Sequence, residues 1–295
     1  MRKVIGKKAI LAAIFSLLAV GTVFANGSGE SAAFDSRRNI NVISREDGSG
    51  TRGAFIELFG IEVRGADGSR RDTTTTEAVI ARQTDVMMIN IAGDKYAIGY
   101  ISLGSLNDTV KAAAINGVVA STANVKNGTY TISRPFYIAT KGAPEPLAKD
   151  FIDFILAADG QSVIAKSYIA VNASASAYTG SKPSGKIIIA GSSSVTPVME
   201  KLKEAYIALN PSAVIEIQQS DSSAGMTAAM NGTCDVGMSS RDLRDSELAQ
   251  LTPVKIAIDG IAVIVNKENP VANLTKDEVK AIFTGETTLW NQVVK

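Results

Sequence analysis

Three stretches of this 295-residue chain share one local arrangement, in which a short apolar strand runs into a loop of glycine, serine and threonine and then into a helix. The loops lie at 47–51, 192–196 and 221–225. Each is preceded by β-branched residues and followed by apolar residues at helical spacing. Strands that alternate with helices predict an α/β fold, and loops at the carboxyl ends of such strands commonly form a ligand site.

The first 25 residues have the layout of an export signal. Met1–Lys8 is basic, Ala9–Val20 is apolar apart from Ser16, and Val23–Ala25 supplies a small-residue cleavage pattern. The apolar run is shorter than the roughly 20 residues of a membrane-spanning helix, which favours a cleavable signal peptide over an uncleaved anchor. We therefore expect a protein secreted across the cytoplasmic membrane into the periplasm.

The composition removes several classes of function. The chain has no histidine and one cysteine, Cys234, which excludes a Ser-His-Asp triad, a histidine- or cysteine-cluster metal site and an internal disulfide. We therefore expect no cofactor and no metal. The formal net charge is +1, so the overall charge does not attract the protein to nucleic acid or anionic lipid.

The three loops have the composition of an oxyanion site. A helix N-terminus presents unpaired N–H groups and a partial positive charge, and small residues let the backbone approach an anion closely. For any single loop, plain helix capping by serine or threonine is the more ordinary interpretation. Three such loops in one chain favour an oxyanion site.

Two arginines are candidates for a charged contact with an anion. Arg45 can make a bidentate contact to a phosphate or carboxylate ligand, or it can form a structural ion pair with Asp47 or Glu46. For Arg241, a surface or interdomain ion pair is at least as good an interpretation as a ligand contact.

Other segments give predictions for the framework. Thr76–Thr84 is interpreted as a helix, and Ile256–Val265 as an apolar strand broken at Asp259. Tyr130–Thr140 has the pattern of a strand in which Pro135 argues against a central position, because proline cannot donate to a ladder.

Two segments mark boundaries. Residues 172–186 are rich in serine, alanine and glycine without an apolar period, which is typical of a linker. Thr275 and Glu278 form a capping box that predicts the start of a helix, and Gly285 marks its end.

Four motifs resemble those of the periplasmic phosphate-binding proteins of phosphate ABC transporters. They are REDGSGTR at 45–52, GSSSVTP at 191–197, DVGMSSR at 235–241 and IDGIAVIVN at 258–266. Similarity at 97–102, 151–161 and 274–290 extends the match over nearly the whole chain after the signal. The resemblance implies the type II periplasmic-binding-protein fold, an α/β fold of two lobes with the ligand in the cleft between them.

The order of the motifs departs from that family, in which the GSSS-type loop comes first and the REDGSGTR-type loop follows later. Here 45–171 precedes 187–294, and we interpret the chain as a circular permutation. A misordered gene sequence is the alternative. Residues 172–186 would then join the family's former ends, and we expect this segment to be exposed and mobile, with few apolar contacts.

The permuted order also predicts how the lobes are composed. One lobe would comprise 29–130 plus 262–295 and carry the Arg45–Thr51 loop, and the other would comprise 131–261 and carry the other two loops. Because domain termini usually lie close together at the surface, Asn39–Ile43 and Leu289–Val294 should be neighbours.

By motif position, the resemblance implies nine phosphate ligands. They are Arg45, Ser49, Gly50 and Thr51 of the first loop, Ser194, Val195 and Thr196 of the second, Ser222 of the third, and Ser240. Many family members have, in place of Ser240, an aspartate that accepts the phosphate proton, and such an acceptor rejects sulfate. Here Asp47 is a candidate for that acceptor and Asp221 a weaker one.

The resemblance implies a function in transport. We expect a monomer that captures inorganic phosphate and delivers it to an ABC permease, without enzymatic activity. Another tetrahedral oxyanion, such as sulfate or molybdate, is the alternative ligand. A secreted phosphatase with Ser194 or Ser49 as nucleophile is disfavoured because no histidine can activate the serine. A surface protein that keeps the fold without transport stays open.

Overall fold

Strands and helices alternate along the residues that the computed structural model describes, 33–66 and 68–294. The predicted export signal lies outside these residues. The strands are β1 (Asn41–Arg45), β2 (Glu62–Arg64), β3 (Arg70–Asp72), β4 (Val79–Ala81), β5 (Ala97–Ser102), β6 (Lys111–Ala112), β7 (Ala114–Ile115), β8 (Ser133–Thr140), β9 (Ile169–Ala170), β10 (Gly185–Ser192), β11 (Ala213–Ser220), β12 (Val236–Ser239), β13 (Thr252–Val265) and β14 (Asn273–Leu274). The helices are α1 (Gly50–Leu58), α2 (Thr84–Gly93), α3 (Thr122–Lys126), α4 (Pro146–Leu156), α5 (Ala158–Ile164), α6 (Thr196–Leu209), α7 (Ser222–Asn231), α8 (Asp245–Leu248) and α9 (Lys276–Thr284).

The main sheet has parallel strands at both ends and antiparallel strands in the middle. Its strand order is β11-β10-β12-β8-β13-β5-β1-β4, and β6 and β9 also pair with β13. At one end β1 is parallel to β4 and β5, and at the other β10 is parallel to β11 and β12. The middle strands β8 and β13 are antiparallel to each other and join the two parallel groups. This mixed sheet confirms the predicted α/β class.

Buried apolar side chains form two large clusters. The first cluster draws on residues 40–132 and 261–290, and the second on residues 136–257. A third, small cluster includes Met226 and Leu243. The chain passes between the two large clusters at β8, which begins directly after Ile132 of the first cluster, and along β13, which has Ile256 in the second cluster and Ile261 in the first. The predicted boundaries of the two lobes remain a prediction.

A buried ion pair lies where β8 and β13 pass between the clusters. Arg134 of β8 and Asp259 of β13 are cross-strand partners, and Arg134 Nη2 lies 3.2 Å from Asp259 Oδ2. Their side chains are 2% and 1% exposed. Arg134 Nε and Nη1 and the hydroxyls of Ser102, Ser105 and Tyr168 are buried without a hydrogen-bond partner among the described residues. The junction between the clusters is therefore polar.

The two ends of the described chain meet, as the permuted order predicts. Asn39 and Leu289 form an antiparallel bridge, and the Ile40 amide donates to the Thr288 carbonyl at 2.8 Å. Trp290 is fully buried in the first cluster, so the C-terminal segment belongs to the same core as β1. The predicted proximity of Asn39–Ile43 and Leu289–Val294 is confirmed.

Three predictions about elements are wrong. Thr76–Thr84 is not a helix, because it contains β4, and the helix begins only at Thr84. Asp259 does not break its strand, since β13 is continuous. Pro135 lies in a central strand. It is tolerated because β12 pairs with β8 only at 137–139, so the ladder on that side does not reach the proline.

The predicted helix boundary at the capping box is confirmed. The Thr275 hydroxyl accepts from the Glu278 amide at 3.1 Å, the Glu278 carboxylate accepts from the Thr275 amide at 2.7 Å, and Gly285 ends α9 with a positive φ.

The predicted linker is exposed over most of its length but makes specific contacts. The Tyr178 hydroxyl donates to the buried Asp150 carboxylate, and its ring packs against Phe154 and Tyr206. Burial alone would raise the pKa of Asp150, but the hydrogen bonds from Tyr178, Tyr206 and the Ser181 amide lower it. The segment therefore has few apolar contacts, as predicted, but one tyrosine anchors it.

Candidate functional site

Arg45 lies at the end of β1, and its guanidinium is buried. The residue is 1% exposed, and Nε and Nη2 make a bidentate ion pair with the Glu46 carboxylate at 2.8 and 2.7 Å. Nη2 also donates to Ser193 Oγ at 3.0 Å, and Nη1 donates to Thr84 Oγ1 at 3.3 Å. Of the two ion-pair partners considered for Arg45, the structure shows Glu46 and not Asp47.

Tyr100 holds the backbone at this position. Its hydroxyl accepts from the Arg45 amide at 3.1 Å and lies 2.9 Å from Ser44 Oγ, and its ring stacks on Phe55 of α1 at 3.8 Å. Burial raises the pKa of Tyr100, so the phenol stays neutral. The end of β1 and the first turns of α1 are thereby fixed to each other.

The first loop touches the second directly. Thr51 Oγ1 is 2.7 Å from Ser194 Oγ, although the two residues are 143 positions apart. Ser49 is the N-cap of α1, since its hydroxyl accepts from the Arg52 amide at 3.3 Å. Ser49, Thr51 and Ser194 are all buried. The loops at 47–51 and 192–196 thus form one buried polar cluster.

The third loop packs against the first loop at Gly50. A Cβ at Gly50 would lie 2.4 Å from Ser222 Oγ and 2.7 Å from Ser240 Oγ, so only glycine fits there. Ser222 Oγ accepts from the Ser240 amide at 3.1 Å, and Ser192 Oγ donates to Ser240 Oγ at 3.0 Å. The structure therefore brings all three loops and Ser240 together, as the cleft interpretation predicts.

Val195 and Thr196 contribute to this cluster less directly. The Val195 side chain is fully buried in the second apolar cluster, and its amide donates to the Ser192 carbonyl at 3.0 Å. The Thr196 hydroxyl donates to the same carbonyl at 3.1 Å. In this arrangement both residues bond within their own loop.

The structure does not place Asp47 where the predicted proton acceptor should be. Its side chain is 96% exposed and pairs with Arg52 at 2.8 Å, because the loop turns this position outward. Asp221 caps α7 by accepting from the Ala224 amide at 2.8 Å. Glu46 contacts Arg45 of the cluster, and Arg45 already occupies both of its carboxylate oxygens.

Arg241 forms an ion pair, which is the alternative to a ligand contact that the sequence analysis gives for it. It makes a bidentate ion pair with Glu247 at 2.9 and 2.8 Å and donates to Ser223 Oγ at 3.2 Å. Burial alone would raise the pKa of Glu247, but the hydrogen bonds from Arg241 and the Arg244 amide lower it.

Thr84 joins the cluster although the sequence interpretation missed it. Its hydroxyl lies 3.3 Å from Ser193 Oγ and 3.3 Å from Ser194 Oγ, in addition to its contact with Arg45. Thr84 followed by Asp85 is a pattern of helix starts, whereas the interpretation of Thr76–Thr84 as a helix puts Thr84 at a helix end.

The described residues contain neither a metal-ligand cluster nor a membrane-spanning helix. Within 33–66 and 68–294, no group of three or more Asp, Glu, Cys or His residues could hold a metal ion. In the same part of the chain, no helix is both long enough and apolar enough to cross a membrane.

Comparison with known proteins decides the family. A model of the PBP superfamily domain matches residues 23–159 and 176–295. "Phosphate-binding protein PstS 2" of Streptococcus agalactiae serotype V is 50% identical over 97% of this chain and 97% of its own length. The chain belongs to the PstS family of the PBP superfamily.

Other comparisons bear on the fold and on the order of segments. The crystal structure of a phosphate ABC transporter phosphate-binding protein from Streptococcus pneumoniae is 43% identical and covers 87% of this chain and 100% of its own, with a TM-score of 0.69. "Phosphate-binding protein PstS" of Staphylococcus haemolyticus is 38% identical but aligns over only 35% of each chain. Some PstS relatives thus share the segment order of this chain over nearly its full length.

Proposed function

We propose that this protein captures inorganic phosphate outside the cytoplasmic membrane and delivers it to an ABC permease. Its full-length relative is named for phosphate binding, and the similar crystal structure is that of a phosphate ABC transporter component. The observation that carries the proposal is the meeting of three serine- and threonine-rich loops around one buried arginine. One arginine together with many neutral donors suits a tetrahedral oxyanion.

The proposed ligand set keeps the nine residues expected from the motifs. Arg45 would supply the charge, and hydroxyls and helix-start amides would supply neutral donors: Ser49, Gly50, Thr51, Ser194, Val195, Thr196, Ser222 and Ser240. The Val195 amide and the Thr196 hydroxyl would exchange their bonds to the Ser192 carbonyl for bonds to the anion.

Removal of the arginine tests the site. Arg45→Ala should weaken phosphate binding by about 2–4 kcal/mol, because a charge-assisted contact in a buried site is lost. Calorimetric titration of the phosphate-stripped protein measures this. Arg37→Ala is the matched control, since Arg37 is an exposed arginine whose ion pair is with Asp35. Unchanged phosphate affinity of Arg45→Ala would refute the proposed site.

A fully deprotonated anion such as sulfate is a second candidate ligand. The resemblance to the family implies an aspartate at the position that Ser240 occupies here, and Asp47 faces away from the cluster. With no free carboxylate to repel it, a fully deprotonated anion such as sulfate meets less opposition. Titration of phosphate in the presence of sulfate separates the two ligands, and sulfate binding tighter than phosphate would overturn the assignment.

We further propose that the protein binds its ligand without turning it over. The serines of the cluster bond to other hydroxyls and to amides, and the chain has no histidine to act as their base. An aryl phosphate incubated with the protein should release no phenol above the rate in buffer.

Export by a cleaved signal peptide is part of the proposal. The basic and apolar pattern of residues 1–25 supports it. N-terminal sequencing of the protein recovered from outside the cytoplasmic membrane should begin near Asn26, and a retained Met1 would contradict cleavage.

We also propose that the chain is a circular permutation of the family, with lobes of 29–130 plus 262–295 and of 131–261. The adjacent chain ends support this, as does the alignment of some relatives over about a third of their length. A rearranged chain tests it: Ser184 to Lys295, then a short Gly-Ser connection, then Asn39 to Ala173. Without Tyr178 it should be less stable, but it should still fold and bind phosphate with similar affinity, since the three loops are kept and loop closure costs little. Failure with several connection lengths would refute the permutation.

A further inference from the structure

Thr84 lies outside the four motifs that resemble the family, so they assign it no role in ligand binding. It is the first residue of α2, it is 4% exposed, and its hydroxyl is 3.3 Å from each of three side-chain atoms. Those atoms are Arg45 Nη1, Ser193 Oγ and Ser194 Oγ. Thr84 therefore contacts the arginine on one side of the site and the serine loop on the other.

The fold explains how Thr84 reaches this place. β4 lies beside β1 and parallel to it, with Arg45 opposite Ala81. The chain that leaves β4 therefore enters α2 next to the point at which β1 leads into α1. Gln83 gives α2 no side-chain cap in the described structure, so the N-terminus of this ten-residue helix is not closed by a local side chain.

The hydrogen bonds of Arg45 leave a donor beside this hydroxyl. A guanidinium has five N–H groups, and four are used by Glu46, Ser193 and Thr84. The fifth, on Nη1, has no partner in the described part of the chain. Because Thr84 Oγ1 accepts from Nη1, its own proton is available for donation, and contacts of 3.3 Å lie at the long end of hydrogen bonding.

We propose that Thr84 is a ligand-positioning residue of this site, which holds Arg45 Nη1 toward the bound oxyanion and donates its hydroxyl proton to the same anion oxygen. The proposal rests on the proposed phosphate site. The amides at the start of α2 then face the anion from a direction that none of the three glycine- and serine-rich loops supplies.

Two substitutions at this position separate the hydroxyl from the side-chain shape. Thr84→Val keeps the shape and removes the hydroxyl, and it should weaken phosphate binding about tenfold to a hundredfold. Thr84→Ser keeps the hydroxyl and should bind within about threefold of the unaltered protein. Thr122→Val is the matched control, because Thr122 is the exposed first residue of α3. It should leave the affinity unchanged.

A variant that combines Thr84→Val with Arg45→Ala tests whether Thr84 affects phosphate binding through Arg45. If Thr84 works with Arg45 on one anion oxygen, Thr84→Val should cost much less in an Arg45→Ala background than alone. Equal costs in both backgrounds would mean that the two residues act separately, and this would overturn the positioning role.

Hydrogen exchange on the unaltered full chain provides a readout that needs no variant. Addition of inorganic phosphate should slow amide exchange at the start of α2 and leave the start of α3 unchanged. If the unaltered protein binds no phosphate, the proposed function fails. If it binds phosphate but α2 exchanges at the same rate, or Thr84→Val binds normally, the role of Thr84 is refuted and the proposed function stands.

Discussion

Gly50 is a point of close approach between the first loop and the third, and a single methyl group there should hold the site open. In Gly50→Ala the new Cβ would lie 2.4 Å from Ser222 Oγ and 2.7 Å from Ser240 Oγ. Non-bonded heavy atoms prefer about 3.5 Å or more, so the two sides must separate by about 1 Å.

A separation of that size would break the contacts across the site. Three hydrogen bonds would lengthen past the usual limit: Thr51 to Ser194 at 2.7 Å, Arg45 to Ser193 at 3.0 Å and the Ser223 amide to the Gly48 carbonyl at 3.2 Å. At about 1 kcal/mol each, their loss destabilises the closed arrangement by about 3 kcal/mol. A ligand that binds the closed arrangement would then bind about a hundredfold more weakly.

Calorimetric titration with phosphate measures the loss, and small-angle scattering measures the separation. Gly53→Ala is the control on the same helix, because its Cβ would lie an ordinary 3.6 Å from Arg241 Cδ. Both substitutions should stabilise α1 by a similar amount, since alanine favours a helix over glycine. Equal phosphate affinity in the two variants would refute the reasoning.

Two further predictions concern stability. Tyr168→Phe removes a buried hydroxyl without a partner among the described residues and should raise the free energy of unfolding by about 1 kcal/mol, whereas Tyr130→Phe loses a 2.8 Å bond to the Ile261 carbonyl and should lower it by about as much. Urea unfolding compares the two, and a Tyr168→Phe less stable than the unaltered protein would contradict the first. Asp150 has a pKa lowered from its ordinary 3.8 in the folded protein, so its contribution to stability is complete above that value and is lost as the pH falls through the lower one. Limited proteolysis at 172–186 should therefore accelerate below about pH 3.8, and an Asp150→Asn variant should be cut readily at neutral pH.

Local patterns in the sequence determined the parts of the fold that could be predicted. The capping box of Thr275 and the end of α9 at Gly285 depend on bonds within a few residues, so the sequence contains all the information they need. The glycine- and serine-rich loops are similar, because strand, loop and helix follow one another directly. Their meeting could be expected from the family resemblance, but the distance of Thr51 from Ser194 could not.

The failures occurred where tertiary contacts decide the outcome. Pro135 is acceptable in a central strand only because β12 stops short of it, and that depends on strand length in three dimensions. The direction of Asp47 follows from its contact with Arg52, which competes with the cleft for the carboxylate. Tyr178 gave no periodic signal, yet a single aromatic side chain with a buried acceptor is enough to anchor a loop.

Because Asn39 pairs with Leu289, one core contains both early and late parts of the chain, and this affects the order in which the two cores can fold. The core around Arg45 needs the end of β13, α9 and Trp290, which follow the residues of the second cluster in chain order and so leave the ribosome or the export channel after them. The second cluster, by contrast, is complete once β13 has emerged. We therefore expect the Arg45 side to remain unfolded until Trp290 has emerged, so that the segment after the predicted export signal can still pass through the export channel as an unfolded chain. A chain truncated after Asn266 should show protection from amide exchange in the second cluster and none in β1, and protection in both would contradict this order.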